Sequence, residues 1–140
     1  MKMSFRRIDY RKLNARLKEN YNFQKVSGVL VDYGFSTVRL TNDWEGADFL
    51  AQHADGVTFL RVQLKPRLYF AKKYRGKDLW MCFRNGNDVF LFPHDEVVIL
   101  FLDSGRIMKG SNSWEVNGGY SRGNIAKWMR PLLEKYRLKG

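Results

Sequence analysis

An aspartate, a glutamine and a lysine stand in two segments that one short turn would fold together. Asp48 lies in Gly46-Ala47-Asp48-Phe49-Leu50-Ala51, the turn is Asp55-Gly56, and Gln63 and Lys65 lie in Leu60-Arg61-Val62-Gln63-Leu64-Lys65. Asp-Gly between two apolar-rich runs is a strong hairpin signal, and its two-residue form is a type I′ turn. Such a turn pairs Ala54 with Val57 and, further along, Asp48 with Gln63 and Gly46 with Lys65. Directly opposed side chains share a face, with Cβ atoms about 4.5–5.5 Å apart, and residues two apart on one strand share it as well. Leu60, Val62 and Leu64 then point the other way, into a core. A carboxylate, an oxygen acceptor and an amine on one patch suit metal-assisted phosphodiester cleavage. The oxygens hold a hard cation such as Mg²⁺ or Mn²⁺, and the amine orients water and offsets developing negative charge. The same residues also read as a polar cross-strand pair on a solvated sheet face. A turn one residue longer or shorter would change the register.

Composition sets the surroundings of such a site. The 140 residues suit one domain, 1–140, and 44% hydrophobic residues are enough for a core. Lys and Arg number 25 against 14 Asp and Glu, a net charge of +11. That excess favours phosphate backbones or other acidic partners. Cys82 is the only cysteine, so neither an internal disulfide nor a cysteine zinc site is open to the chain, and two histidines exclude a histidine-rich metal site. A reducing cytoplasm is the expected location. The basic stretch Met1 to Arg7 lacks the apolar segment of a signal peptide, and no apolar run approaches a membrane span of ~20 residues.

Hydrophobic periodicity then places the elements. Tyr10, Leu13 and Leu17 predict a first helix over 10–20, and Phe23, Val26, Leu30 and Tyr33 a second that stops at Gly34. Period-two segments predict strands over 36–41, 47–53, 57–65, 79–84 and 88–92, with a loop over 42–46 and a turn at 85–87. Pro93 opens a short helix to about Leu102, and residues 105–116 read as irregular or as a short strand. Ser121 reads as the cap of a last helix with Ile125, Trp128, Met129, Leu132, Leu133 and Tyr136 inward. Pro131 inside that pattern predicts a kink or two short helices. The order implies one α/β domain with a central mixed five-stranded sheet flanked by helices.

Other segments carry weaker signals. Arg67, Lys72, Lys73, Arg75 and Lys77, with Tyr69, Phe70 and Tyr74 interleaved, form a basic and aromatic run directly after Lys65. It reads either as a nucleic-acid contact through Arg67, Lys72, Lys73, Tyr74, Arg75 and Lys77, or as a solvated loop with core-directed aromatics. His94-Asp95-Glu96 superficially resembles a metal cluster, but consecutive helical residues point apart, and acids in a first turn are ordinary dipole partners. Gly118-Gly119-Tyr120-Ser121 reads as a turn and cap, and Trp44 and Trp114 as either core or stacking residues.

With those residues in view, the segment from Asn22 to about Arg67 resembles the PD-(D/E)XK restriction-endonuclease-like nucleases. The likeness is carried by Gly46-Ala47-Asp48-Phe49-Leu50-Ala51, by Leu60-Arg61-Val62-Gln63-Leu64-Lys65, and by the helix ending Val31-Asp32-Tyr33-Gly34-Phe35. The resemblance implies a restriction-endonuclease-like fold and Mg²⁺- or Mn²⁺-dependent hydrolysis of DNA. It makes Asp48 the metal-binding aspartate and Lys65 the motif's lysine, and sets Gln63 where Asp or Glu is usual. Members resembling Mrr-type restriction enzymes also carry Gln there. It implies metal contacts from Asp48, Gln63 and the Leu64 carbonyl. It places Gln24 where many members have a helix glutamate, with Glu19 the nearest upstream acid. A homodimer fits double-strand cutting. The alternatives are a nucleic-acid-binding module with a degenerate site, or a basic protein-interaction domain.

Overall fold

The computed structural model describes residues 3–44, 46–106 and 111–140, without the side chains of Asp43 and Trp44. Its first helix, α1 (Ala15–Asp32), replaces the two expected over this stretch, and Tyr10–Lys12 forms only a 3₁₀ turn. Asn14 fixes the start, because its side-chain oxygen accepts the Leu17 N–H at 2.9 Å. No proline interrupts the next 18 residues, so nothing stops the helix before Tyr33.

Eight strands follow. They are β1 (Phe35–Trp44), β2 (Ala47–His53), β3 (Phe59–Leu64), β4 (Leu68–Ala71), β5 (Leu79–Asn85), β6 (Asp88–Pro93), β7 (Gly119–Arg122) and β8 (Arg137–Leu138). The central sheet has six strands, not five, in the order β1-β2-β3-β5-β6-β8. It is mixed, because β3 and β5 run parallel while the other neighbours run antiparallel. The sixth strand is a two-residue edge whose apolar content is too short to show a period. β4 and β7 pair in a separate small sheet. Ser121 therefore lies in β7 and is not a helix cap. The remaining helices are α2 (His94–Asp103), α3 (Asn112–Glu115) and α4 (Arg130–Leu133). Pro131 sits in the first turn of α4, where its missing N–H costs no helical bond, and 3₁₀ turns flank that helix, so the expected last helix is divided into short pieces. Part of the 105–116 segment lies outside the described residues. Among the described residues no helix is long and apolar enough to cross a membrane.

Each face of the sheet is buried by a different layer. On one, Phe23, Val26 and Leu30 of α1 pack on Phe49, Ala51, Leu60, Val62, Cys82 and Leu91. On the other, α2, α4 and the β4–β7 sheet cover Leu79, Met81, Phe83, Phe90 and Phe92. Alternate residues of β5 and β6 thus enter opposite cores, which explains their unbroken apolar runs. Full burial stabilises each such side chain by about 1.5–3 kcal/mol.

The long link from β3 to β5 is tied down by His94. Its Nε2 accepts the Ala71 N–H at 3.1 Å, so the ring proton is on Nδ1, which donates to Asp95 Oδ1 at 2.8 Å. Asp95 Oδ2 in turn accepts the Gly76 N–H at 2.8 Å. The histidine and its acidic neighbour are therefore a structural clamp on this link. Burial holds His94 below its ordinary pKa, against the opposing pull of Asp95. The neutral ring's contribution is therefore present above the unfolded value of about 6.5 and lost as pH falls through the lower folded value. Urea midpoints at pH 7.5 and 5.5 are expected to show a drop on acidification. His94→Gln should be less stable at pH 7.5 but should lose a smaller part of its midpoint on going to pH 5.5.

Candidate functional site

The β2–β3 hairpin keeps the expected register but not the expected turn. Phe49 pairs with Val62, Leu50 with Arg61, Ala51 with Leu60 and Gln52 with Phe59. The loop is wider, because His53 N–H donates to the Thr58 carbonyl at 2.9 Å, leaving residues 54–57 as the connection. A type I′ turn needs a positive φ at both central residues, and only Gly56 has one, +74°. Asp55 instead uses its carboxylate to accept the Val57 and Thr58 N–H groups and the Thr58 hydroxyl, at 2.7–2.8 Å. Those bonds, the Thr58 hydroxyl's foremost, bring the Asp55 pKa down to about 2. Widening the loop by one residue on each side leaves the pairing unchanged.

The regular ladder ends one step before Asp48. β1 pairs with β2 from Phe35↔His53 to Arg39↔Phe49, then resumes at Trp44↔Ala47. Residues 40–43 of β1 thus span a gap that Asp48 alone spans on β2. Ala47 packs in the core away from α1 while Phe49 packs under α1. Regular alternation would put those two on one face, so β2 breaks step at Asp48. Gly46 makes the turn into β2 at φ +90°, where a Cβ would come within 2.8 Å of Leu79 Cδ1. The Asp48 carboxylate reaches along the hairpin instead, and its Oδ2 accepts the Leu64 N–H at 2.9 Å.

The bulge opens a cavity of about 220 Å³ lined by Asp48, Leu64, Glu19, Arg39, Thr41 and Asn42, with Phe23 and Leu40. A second cavity of about 210 Å³ shares the Glu19 and Leu64 walls and adds Lys65, Lys18 and Tyr10. β3 ends at Leu64, so Lys65 is freed from strand alternation. Its Nζ lies 4.7 Å from the centroid of the Tyr69 ring. Asp48 and Leu64 thus line the first cavity and Leu64 and Lys65 the second, with Glu19 in the wall of both, while the Lys65 ammonium sits over Tyr69, which packs against the core away from α1.

Two expected members stand elsewhere. Gln63 is 8% exposed, in register with Met81 of the opposite core, and lies between Val62 and Leu64, which both pack on the α1 side. Alternation turns it away from α1, and it is not among the described residues lining either cavity. The expected Asp48–Gln63 pair fails because the bulge turns Asp48 over while Gln63 stays in the ladder. Gln24 is exposed and lines an apolar groove with Leu13, Leu17 and Tyr21. Five residues along a helix are about 140° round from Glu19, so the two cannot face one cavity. Phe23, Val26 and Leu30 are the inward face, and Glu19, four residues before Phe23 and itself exposed, continues that line to the cavity wall. That signal is legible only when residues 15–32 are read as one helix.

The basic run is partly absorbed by the fold. Tyr74 is 5% exposed and lies in the core with Phe70, so it is no stacking platform. Lys72 Nζ lies 3.8 Å from Glu115 and over the buried Trp114 ring, and Arg67 Nε donates to Ser121 Oγ at 2.6 Å. Lys73, Arg75 and Lys77 are exposed. The Trp44 side chain lies outside the described residues.

Two carboxylates and a backbone turn offer hard oxygen donors, which suits Mg²⁺ or Mn²⁺ better than softer metals. Among the described residues no group of three or more His, Cys, Asp and Glu side chains converges as a metal cage. Any ion would therefore complete its shell from water and substrate.

No family model matches the sequence. No curated protein matches it either. Among solved structures, the fold is similar to that of the bacterial homing endonuclease I-Ssp6803I, with a TM-score of 0.51 and 16% identity over 89% of this chain and 86% of that one. The likeness extends through the whole domain, so the α/β fold is one that a nuclease uses.

The Asp48–Leu64 bond separates folding from chemistry. Asp48→Ala leaves the Leu64 N–H without its acceptor and is expected to lower stability by about 1–3 kcal/mol in urea unfolding. Asp48→Asn keeps an oxygen in place and should retain most of that stability.

Proposed function

We propose that this chain is a metal-dependent endonuclease that hydrolyses phosphodiester bonds of DNA. The observation that carries the reading is that Asp48 and Glu19 line one cavity at the bulged end of the hairpin and Glu19 and Lys65 line the adjoining one, on a fold similar to that of a homing endonuclease. The sequence resemblance to PD-(D/E)XK nucleases supports it independently through Asp48 and Lys65.

In this reading Asp48 and Glu19 hold Mg²⁺ or Mn²⁺ through their carboxylates, and the Leu64 backbone adds a neutral oxygen. The bound ion polarises the scissile phosphate and lowers the pKa of the attacking water. The Leu64 N–H holds Asp48 Oδ2 in place, so the carboxylate is oriented before the ion arrives. Lys65 orients the water and offsets negative charge as it develops on the phosphate oxygens. Gln63 is an auxiliary group that supports the strand from the opposite face. A homodimer would bring two such sites to the two strands of a duplex. A cytoplasmic setting suits a chain whose single thiol is buried.

A second reading, binding without cleavage, is favoured by Arg39, whose guanidinium lines the same cavity as the two carboxylates and offsets their charge. Incubation of supercoiled plasmid and of labelled duplexes with Mg²⁺, Mn²⁺ or EDTA distinguishes them. The nuclease reading expects metal-dependent product, lowered about 10²-fold or more by Asp48→Asn, Glu19→Gln and Lys65→Ala, without loss of the folded state. Gln63→Met should lose less than any of these. Product that persists unchanged in Asp48→Asn and Lys65→Ala would sink the proposal, and duplex binding with no product in either metal would favour the second reading.

A further inference from the structure

The cavity at Asp48 does not end there. Arg39, Leu40 and Thr41 also line a larger hollow of about 560 Å³ between β1 and the first half of α1, completed by Arg16, Leu17 and Asn20. The two hollows share the wall Arg39, Leu40 and Thr41, so they lie side by side along β1, and we refer to them together as the α1–β1 channel. Its cations are Arg39 and Arg16, both exposed, and among the described residues neither has an ion-pair partner. Arg39 is nevertheless held. Its Nη1 donates to Asn20 Oδ1 at 3.1 Å, and its guanidinium lies 5.4 Å over the Phe23 ring. An amide and a ring fix the group without neutralising it, so a full positive charge is presented in a preset place. Thr41 adds a hydroxyl donor to the same wall. The 65–77 run lacks this arrangement, since Lys72 is paired with Glu115 and Tyr74 is buried.

We propose that this α1–β1 channel, through Arg39 and Arg16, carries the phosphodiester backbone next to the phosphate held at Asp48. The position of the track relative to the site rests on the nuclease reading; backbone binding in the channel does not. Planar guanidinium groups suit phosphate oxygens, to which they donate two parallel hydrogen bonds. The contact is to backbone, so it positions the strand and does not select its sequence.

The test is fluorescence anisotropy with a labelled DNA duplex in EDTA, where no cleavage occurs, over a series of salt concentrations. Arg39→Gln and Arg16→Gln are each expected to weaken binding about 3–10-fold and to lower the slope of log K against log salt by about one. The double variant should lose about two. Arg39→Lys keeps the charge and should keep most of the slope, which separates lost charge from lost folding. Lys73→Gln with Arg75→Gln should have the smaller effect. A double variant with wild-type affinity and slope, or a larger loss in the Lys73/Arg75 pair, would overturn the channel. If binding falls in the arginine variants while the wild type yields no product with either metal, the channel stands and the nuclease reading fails. If Asp48→Asn abolishes cleavage and the arginine variants bind normally, the nuclease reading stands and the channel fails.

Discussion

Between Arg39 and Trp44 the first strand runs through four residues while its partner runs through one, and that one is Asp48. A closed ladder at this point would place the carboxylate on the face away from α1 and leave no room beside it. The bulge turns the residue over, opens the cavity, and leaves the Leu64 N–H to be met by a side chain instead of by backbone. Gly46 allows the tight re-entry into β2, since any side chain there would meet Leu79. Irregular pairing of this kind re-aims a side chain at the cost of local ladder bonds. Here the lost bonds are partly replaced by the carboxylate that the bulge exposes.

How much of this was legible in the chain depends on the range of the forces involved. The hairpin register was readable, because alternating apolar residues in β2 and β3 fix which face is buried and tolerate a symmetric change in the loop. Gly34 and the break at Pro131 were readable for local reasons of backbone geometry, whereas the His94-Asp95 clamp was not, because its partners Ala71 and Gly76 are distant in sequence. The bulge was not, because its cause lies in packing between strands that a single sequence does not display. Its consequence was the misplacement of Gln63, which obeys the alternation that Asp48 leaves. The helix position failed for a different reason. Gln24 came from the family resemblance and not from a helix face, and splitting 10–33 into two helices hid that Glu19 continues the 23-26-30 line. The strands β4, β7 and β8 are two to four residues long, too short for a period to appear.

The charge of the chain has a similar division between what is general and what is placed. A net +11 draws phosphate to the protein as a whole. It does not say where the strand lies, because many cations serve the fold. Arg84 donates to Asn22, Arg61 to the Lys77 carbonyl, and Lys72 packs on Trp114. Arg39 is likewise held by an amide and a ring, but unlike these it lines the cavity at Asp48. Arg39 keeps its full charge and has already lost much of its rotamer freedom to Asn20 and Phe23, so less entropy is lost when a phosphate arrives.

That placement bears on how a cation could be held at all. The two adjoining cavities bring together the carboxylates of Asp48 and Glu19 and the cationic groups of Arg39 and Lys65. With Lys18 also in the second lining, formal positive charge among the described lining residues exceeds negative by one before anything binds, and a divalent ion gains little from the protein alone. A phosphodiester entering along Arg39 adds negative charge and oxygen ligands at the same place, and the guanidinium that opposed the ion is then occupied by phosphate. Each ligand thereby improves the site for the other, and the improvement is equal in both directions because binding free energies are reciprocal. Under the proposed nuclease reading, the scarcity of carboxylates and the presence of an arginine are two parts of one arrangement, in which a metal would be held firmly only together with the nucleic acid.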